Sequence, residues 1–440
     1  MSNSAVAAVV LAAGKGTRMR SERPKVLYEV AGRPMVGHVL EAALGLQPSA
    51  VAVVVGHGAA EVRAAVRADL AFDGSRVKFA VQRDQRGTGH ALRCALPSLR
   101  GFRGTVLVLN GDVPLVGTGT LRTLVDAHRR SRNAATLLTF RPADPTGYGR
   151  VVRDGRGAFL DIVEERDADF ETRTIAEVNA GLYAFDAALL PDALRRLKAQ
   201  NAQGELYVTD LPRILRRDGR PVGAVRVLDP EVVSGVNTLS ELAQAGATMR
   251  RRVLEAFLAD GVEVADPSTT FVAPDVRIGA GTRLEPFTVI ESGVRIGRGC
   301  TVGPFARLRR GTVLEDGASV GNFVEVKASR LGRGSKARHL AYLGDADLGH
   351  DVNVGAGTIT CNYDGKRKSA TSVGDGAFLG SGTLLVAPVK VGARAVTGAG
   401  TVVLAGRNVP ADTTAVGVPA RVVHAPAKKR RARRRKTGGR

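Results

Sequence analysis

The chain has 440 residues, of which 44% are hydrophobic and 4% aromatic, with no Trp and a formal net charge of +22. That length predicts two or three domains, with cores of stacked Val, Ile, Leu and Ala rather than of rings. Cys94, Cys300 and Cys361 are too few and too scattered for a disulfide frame or a zinc site and fit a reducing cytoplasm, and no apolar run approaches the ~20 residues of a membrane helix.

The apolar run Ala5–Ala13 lacks a preceding Lys or Arg and leads into a Gly-rich loop, so it reads as a buried strand rather than a signal core. The strand, Val6–Leu11, opens into Ala12-Ala13-Gly14-Lys15-Gly16-Thr17-Arg18-Met19 and then Pro24-Lys25. Such a loop turns backbone N–H groups toward a phosphate, and Arg18 and Lys25 add charge. It is neither a Gly-x-Gly-x-x-Gly turn nor a Walker loop. Predicted strands at Val51–Val55, Val77–Val81 and Thr105–Leu109 alternate with helical patterns at Pro34–Leu44, Ala59–Ala71 and Gly89–Leu96. The alternation predicts a doubly wound, Rossmann-like α/β domain with a mostly parallel sheet, whose ligands bind at the carboxyl ends of the strands. Gln82, Gly87-Thr88-Gly89-His90 and Asn110-Gly111-Asp112 all fall there. An Asp at a strand end is often a turn former, but Asp112 faces the same edge as the Gly-rich loop, which makes it a candidate metal ligand.

Ser240–Leu258 has helical spacing and reads as a linker helix, with Arg250, Arg251 and Arg252 on a solvated face. Beyond it, every sixth residue from Val272 is a branched aliphatic: Ile278, Leu284, Ile290, Ile296, Val302, Leu308, Leu314, Val320 and Val326. Neither a helix nor a strand keeps phase with that spacing, whereas a parallel β-helix does, with one flat strand and one turn per hexapeptide and three sides per coil. The phase slips near Leu331, returns at Tyr342, Leu348 and Val354, slips over Cys361–Ser372, resumes at Val373, and lapses at Thr397 before Val403. Polar residues concentrate at these breaks, where solenoids carry function. Among them, His339 is a candidate general base.

Nine positive charges lie in Lys428–Arg440, leaving +13 elsewhere. The run Lys428–Lys436 has no periodic apolar partners and is expected to be a disordered, solubilising tail, with contact to nucleic acid, anionic lipid or a ligand phosphate as the alternative. Nucleic-acid binding would call for interleaved aromatics and a known motif, and the sequence offers neither.

The stretch Leu11–Met19, Pro24-Lys25-Val26-Leu27, Gly87-Thr88-Gly89-His90, Gly111-Asp112-Val113-Pro114 and Thr146-Gly147-Tyr148-Gly149-Arg150 together resemble the sugar-nucleotide pyrophosphorylases. Joined to a hexapeptide domain, they are similar, from about residue 5 to about residue 420, to the bacterial family of bifunctional N-acetylglucosamine-1-phosphate uridylyltransferase / glucosamine-1-phosphate N-acetyltransferases. The resemblance implies a uridylyltransferase domain over 1–238, a linker helix over 239–260, a left-handed β-helix acetyltransferase domain over 261–424 and a tail over 425–440. It implies that Leu11, Ala12, Ala13, Gly14, Gln82, Gly87, Thr88 and Gly111 hold the uridine nucleotide, and that Arg18 and Lys25 act on the UTP phosphates. Asp112 and Asn237 would bind Mg²⁺, and Gly149, Glu164 and Asn179 the sugar. In the acetyltransferase, His339 would be the base, and Arg309, Lys327 and Tyr342 would take the sugar phosphate. Asn353, Asn362 and Tyr363 would surround the sugar, with Asn362 and Tyr363 also reaching the acetyl-CoA site that Ala356, Ser381 and Ala399 line.

Such solenoids are expected as homotrimers with the site between neighbours. The sequence departs from the family's pattern at Ala180, where Thr is usual, at Arg310, where Pro is usual, and at Gly382, where Asp is common. Val418 stands where a basic residue would meet the CoA phosphates, and Gly281–Cys300 is about one coil short. A second reading keeps one activity, a nucleotidyltransferase for another sugar 1-phosphate, with the β-helix as a trimerising scaffold.

Overall fold

The computed structural model describes residues 5–19, 22–69 and 73–423. The expected tail over 425–440 lies outside the described residues. Contacts divide the chain into two compact units, Met1–Arg250 and Arg251–Arg440, and the division falls inside one helix, Leu239–Ala259.

The first unit is built on a sheet of nine strands: β1 (Val6–Ala12), β2 (Ala50–Val55), β3 (Val77–Val81), β4 (Thr105–Asn110), β5 (Ala135–Phe140), β6 (Arg150–Arg153), β7 (Phe159–Val163), β8 (Val178–Asp186) and β9 (Val222–Arg226). The order is β9-β5-β8-β4-β1-β2-β3, with β6 and β7 forming a side ribbon off β8. Strands β1 to β4 are mutually parallel, as the βα alternation predicts. Strand β8 is not: it runs antiparallel to both β4 and β5. Both faces of the sheet are covered. Val6, Ala8 and Val10 enter one core and Ala7 and Val9 the other, so β1 reads as a continuous apolar run.

The second unit is a left-handed parallel β-helix of three sheets. Val272 sits on Ile290, Ile290 on Leu308 and Leu308 on Val326, so each coil is 18 residues, three hexapeptides. Nine of the ten in-phase aliphatics are buried, and Ile278 is half-buried. The first slip is a coil one residue short: Leu314 sits on Leu331 and Leu331 on Leu348. Leu343 fills the inward place there, fully buried, while Tyr342 faces outward, so the expected return of phase at Tyr342 is corrected by one residue. The second slip is an insertion, since Leu348 pairs with Val373.

Thr397 is no lapse in the stack. It is 1% exposed at the inward position, and its hydroxyl lies 2.8 Å from that of Thr383 and accepts from the Gly380 amide at 3.0 Å. A hydroxyl survives in the core because it is fully paired. The same device recurs at the corners, two residues before the inward position. Thr282 Oγ1 donates to Gly297 O at 2.8 Å and accepts from Cys300 N at 3.1 Å, and Ser335 does the same for Gly349 and Val352.

Candidate functional sites

The strand order of the first unit reverses between β1 and β4, which lie side by side with Leu11 opposite Asn110. Strands diverging on either side open a crevice at their carboxyl ends. The loop after β1 and the Asn110-Gly111-Asp112 turn after β4 are therefore neighbours, and Gly111 N donates to Leu11 O at 2.9 Å. A cleft of about 840 Å³ opens there. Of the residues expected to hold the nucleotide, Leu11, Ala12, Ala13, Gly14, Gln82, Gly87 and Thr88 all line it. Gly111 lies beneath it and only ties the two turns together.

Arg18, Lys25, Asp112 and Asn237 meet at the end of this cleft. Lys25 Nζ is 2.5 Å from Asp112 Oδ2 and 2.7 Å from Asn237 Oδ1, and Arg18 Nη2 is 2.8 Å from the same amide oxygen. Gly16, at φ +63°, lets Lys25 approach: a Cβ there would lie 2.5 Å from Lys25 Cβ. Asn237 comes from far along the chain and is fixed twice. Val236 N donates to Asp112 O at 2.9 Å, and Glu241 Oε2 accepts from Asn237 N and from Thr238 N at 2.9 Å. Thr238 Oγ1 in turn accepts from Glu241 N, which closes a capping box at the start of the helix Leu239–Ala259. The Thr-x-x-Glu pattern from Thr238 to Glu241 is the sequence signal of this box, and it brings Asn237 with it.

Gly149, Glu164 and Asn179 gather beside the β6–β7 ribbon. Asn179 N donates to Gly149 O at 2.9 Å, and a Cβ on Gly149 would lie 3.4 Å from Glu164 Oε2. Asn179 Nδ2 donates to the buried Tyr183 hydroxyl at 2.6 Å. Glu164 faces a second cavity of about 580 Å³ together with Tyr207 and Thr209. Burial pushes its carboxyl up, and the Thr209 hydroxyl, which donates to Oε1 at 3.0 Å, pulls it back down. Sequence reasoning missed Thr209. Its segment is held at Asn201, whose side chain bonds the backbone of Glu205 in both directions, and at Val208, whose N–H donates to Thr88 Oγ1 at 3.0 Å. An Asn followed by Gly204 marks such a turn, but nothing in the sequence links it to Glu164.

On the β-helix, His339 ends the strand Lys336–His339, pairs in register with Asn322 and is exposed. Arg309, Lys327 and Tyr342 follow on the adjoining sheet, one coil above another. Arg309 Nη1 is 2.9 Å from Glu325 Oε1. The Tyr342 ring lies over Gly344, where a Cβ would meet its hydroxyl at 2.5 Å, and Gly344 is in register with Lys327. The Tyr hydroxyl is thus brought beside the Lys column. Asn362 Nδ2 reaches Asp345 Oδ2 at 2.5 Å, and Tyr363 OH donates to Gly365 O at 2.6 Å within the insertion.

Ala356, Ser381 and Ala399 occupy the corner that His339 begins, joined by the bonds Gly382 N to Ala356 O and Gly400 N to Ser381 O. Gly382 has φ +70°, a conformation that explains a Gly at this place. Asn353 is on the same sheet as His339, at its outward face. Val418 is 72% exposed, and Arg310 N reaches the Glu291 carboxylate at 3.4 Å.

Residues 8–169 match the family model of the MobA-like NTP transferase domain, and residues 275–310 that of the bacterial transferase hexapeptide with six repeats. The bifunctional protein GlmU of Corynebacterium efficiens is 42% identical over 91% of this chain and 90% of its own. That of Thermobifida fusca is 45% identical, over 94% and 93%, and that of Syntrophotalea carbinolica 46%, over 94% and 95%. Similarity of this degree runs through both units, and the chain belongs to the GlmU family of bifunctional proteins.

Proposed function

We propose that the chain makes UDP-N-acetylglucosamine in two steps: it acetylates glucosamine 1-phosphate from acetyl-CoA on the β-helix, then joins the product to UTP in the N-terminal cleft. The observation that carries the second step is the convergence of Arg18 and Lys25 on Asp112 and Asn237 at the switch point of the sheet. In that step a phosphate oxygen of the sugar 1-phosphate attacks the α-phosphorus of UTP, and pyrophosphate leaves. Such a displacement needs alignment and neutralisation of charge rather than a protein nucleophile. Arg18 and Lys25 supply the fixed positive charge.

Asp112 and Asn237 aim two hard oxygens at one point, as their shared Lys25 contact demonstrates. Among the described residues no three acidic, His or Cys side chains are grouped so as to hold a metal ion by themselves. Two oxygens with phosphate oxygens and water suit Mg²⁺, which when bound would neutralise the phosphates. Glu164 accepts from the sugar, with Gly149 and Asn179 beside it. The nucleotidyltransferase-only reading is weaker, because a base and a basic cluster for acetyl transfer, His339 with Arg309 and Lys327, stand on the other unit.

For acetyl transfer, the sugar amine attacks the thioester carbonyl, His339 takes the amine proton, and the CoA thiolate leaves and gains a proton. Arg309, Lys327 and Tyr342 hold the phosphate, Asn353, Asn362 and Tyr363 the sugar, and Ala356, Ser381 and Ala399 the acetyl-CoA arm. The β-helix works as a homotrimer in this reading. Support comes from one corner, where Phe287, Phe305, Phe323 and Leu340 stack in successive coils at 51%, 45%, 59% and 61% exposure, with the Phe ring centroids 4.7 and 5.1 Å apart. A continuous apolar ridge of that kind calls for a cover, and Leu340 adjoins His339. No helix among the described residues is long and apolar enough to cross a membrane, and the substrates of this reading are cytoplasmic.

The test is to assay purified protein separately for UDP-N-acetylglucosamine formation from UTP and for CoA release from acetyl-CoA with glucosamine 1-phosphate. Both activities are expected. Uridylyl transfer without CoA release would leave the scaffold reading instead.

A further inference from the structure

Gln82 follows β3, is 4% exposed and lines the cleft. Its Nε2 lies 3.0 Å from Gly87 O and 3.2 Å from Nδ1 of His90. A backbone carbonyl only accepts, so the nitrogen end of the amide belongs there; the oxygen end would face another oxygen. An amide nitrogen carries two hydrogens. One goes to Gly87 O and the other to His90 Nδ1. That ring nitrogen is then the bare one, and the ring proton sits on Nε2, 3.9 Å from Cys94 Sγ. Both donors of Gln82 are used within the protein, while Oε1 makes no hydrogen bond among the described residues. At Gln82 the cleft therefore offers a base an acceptor, Oε1, and no spare side-chain donor.

We propose that His90 is a positioning residue for nucleotide specificity: by holding the Gln82 amide in this sense it makes the cleft choose a pyrimidine with a ring N–H, uracil, over one whose ring nitrogen is bare, cytosine. The inference rests on the reading that the cleft takes UTP. Uracil N3–H donates to Oε1. Cytosine N3 would set a lone pair against Oε1 and leave two acceptors unpaired at a buried wall, the kind of mismatch by which a site rejects a close analogue. Without the His90 acceptor only the Gly87 bond restrains the amide. Giving up that one bond then suffices to turn an N–H toward cytosine, where wild type would have to give up two.

The experiment measures kcat/KM for UTP and for CTP in wild type, His90→Leu and His90→Asn. The ratio is taken within each sample, so any loss of folded protein cancels. His90→Leu should lower the UTP-to-CTP ratio by about tenfold or more, through KM for UTP and with little change in kcat. His90→Asn, whose Oδ1 can accept from Gln82, should restore most of it. A ratio unchanged in His90→Leu overturns the proposal, as does a His90→Asn ratio no better than that of His90→Leu. A wild type that does not prefer UTP to CTP removes the reading of the cleft itself, and the proposal with it.

Discussion

In the N-terminal cleft the groups that would meet phosphate are engaged with one another: Lys25 bridges Asp112 and Asn237, and Arg18 shares the Asn237 oxygen. They stand at the end of a cleft of about 840 Å³, held by backbone bonds between loops far apart in sequence. On the β-helix the comparable groups sit on an outer face. His339 is exposed, Tyr363 is 60% exposed, and Leu340 next to the base is 61% exposed. A doubly wound sheet makes a crevice by its own strand order, so one chain suffices there. A β-helix fills its interior with aliphatics and offers only faces and corners. A site on such a surface gains walls only from what lies against it, and in the proposed trimer the exposed Phe287–Phe305–Phe323 ridge would be where a neighbouring copy lies.

The largest expected effect belongs to the cleft. Asp112→Ala removes the carboxylate proposed to hold Mg²⁺ and should lower uridylyl transfer by about 10³-fold or more, with CoA release unchanged. Next is His339→Ala, expected to lower acetyl-transfer kcat by about 10²–10⁴-fold and to leave uridylyl transfer alone; retention of more than about a tenth of kcat would return His339 to a structural role. Phe305→Lys sets charges on the ridge. It should shift the protein to a smaller species in sedimentation and lower acetyl transfer by about tenfold, since a charge would be buried unpaired at the proposed contact between copies. Uridylyl transfer should hardly respond, and an equal fall in both activities would break the contrast between the two units.

The smallest effect concerns Glu164. Burial raises its carboxyl in the folded chain. Its contribution to stability is therefore full below the ordinary carboxylate value, ~4.3, and is lost as pH rises through the raised one. At neutral pH the buried charge is a net cost. Glu164→Gln, which keeps an acceptor for Thr209, should raise Tm at pH 7.5 by about 2–4 °C, and the gain should shrink toward pH 4. The KM for N-acetylglucosamine 1-phosphate should rise about tenfold. A fall in Tm would mean that the charge is paired in the fold.

The parts of the molecule that repeat, or that follow one strand, could be read from the sequence. The hexad from Val272 to Val326 predicts the inner column because one side chain per turn must be aliphatic. Asp112 announces itself by ending an apolar strand. The return of phase expected at Tyr342 falls instead at Leu343, because a coil one residue short shifts the inward place and spacing alone cannot tell a slip from a return. Thr397 reads in the sequence as a lapse because a buried hydroxyl looks polar until its partner, Thr383, is known. The hold of Thr209 on Glu164 spans 45 residues, and no periodicity encodes it. The antiparallel β8 was equally hidden, since an apolar strand in the middle of a sheet reads the same in either direction. The Phe ridge recurs every 18 residues and was legible, had the corner positions been followed as the inward ones were.

In the proposed function one chain carries two separate sites linked only by a diffusing product. Mixing purified Asp112→Ala with purified His339→Ala tests it most directly, with glucosamine 1-phosphate, acetyl-CoA, UTP and Mg²⁺ supplied and UDP-N-acetylglucosamine read out. Each variant alone should form almost none, and the mixture should approach half the wild-type rate at equal total protein, because each supplies the site the other lacks. A mixture no more active than its better component, with both variants folded, would mean that the two steps cannot be divided between separate molecules.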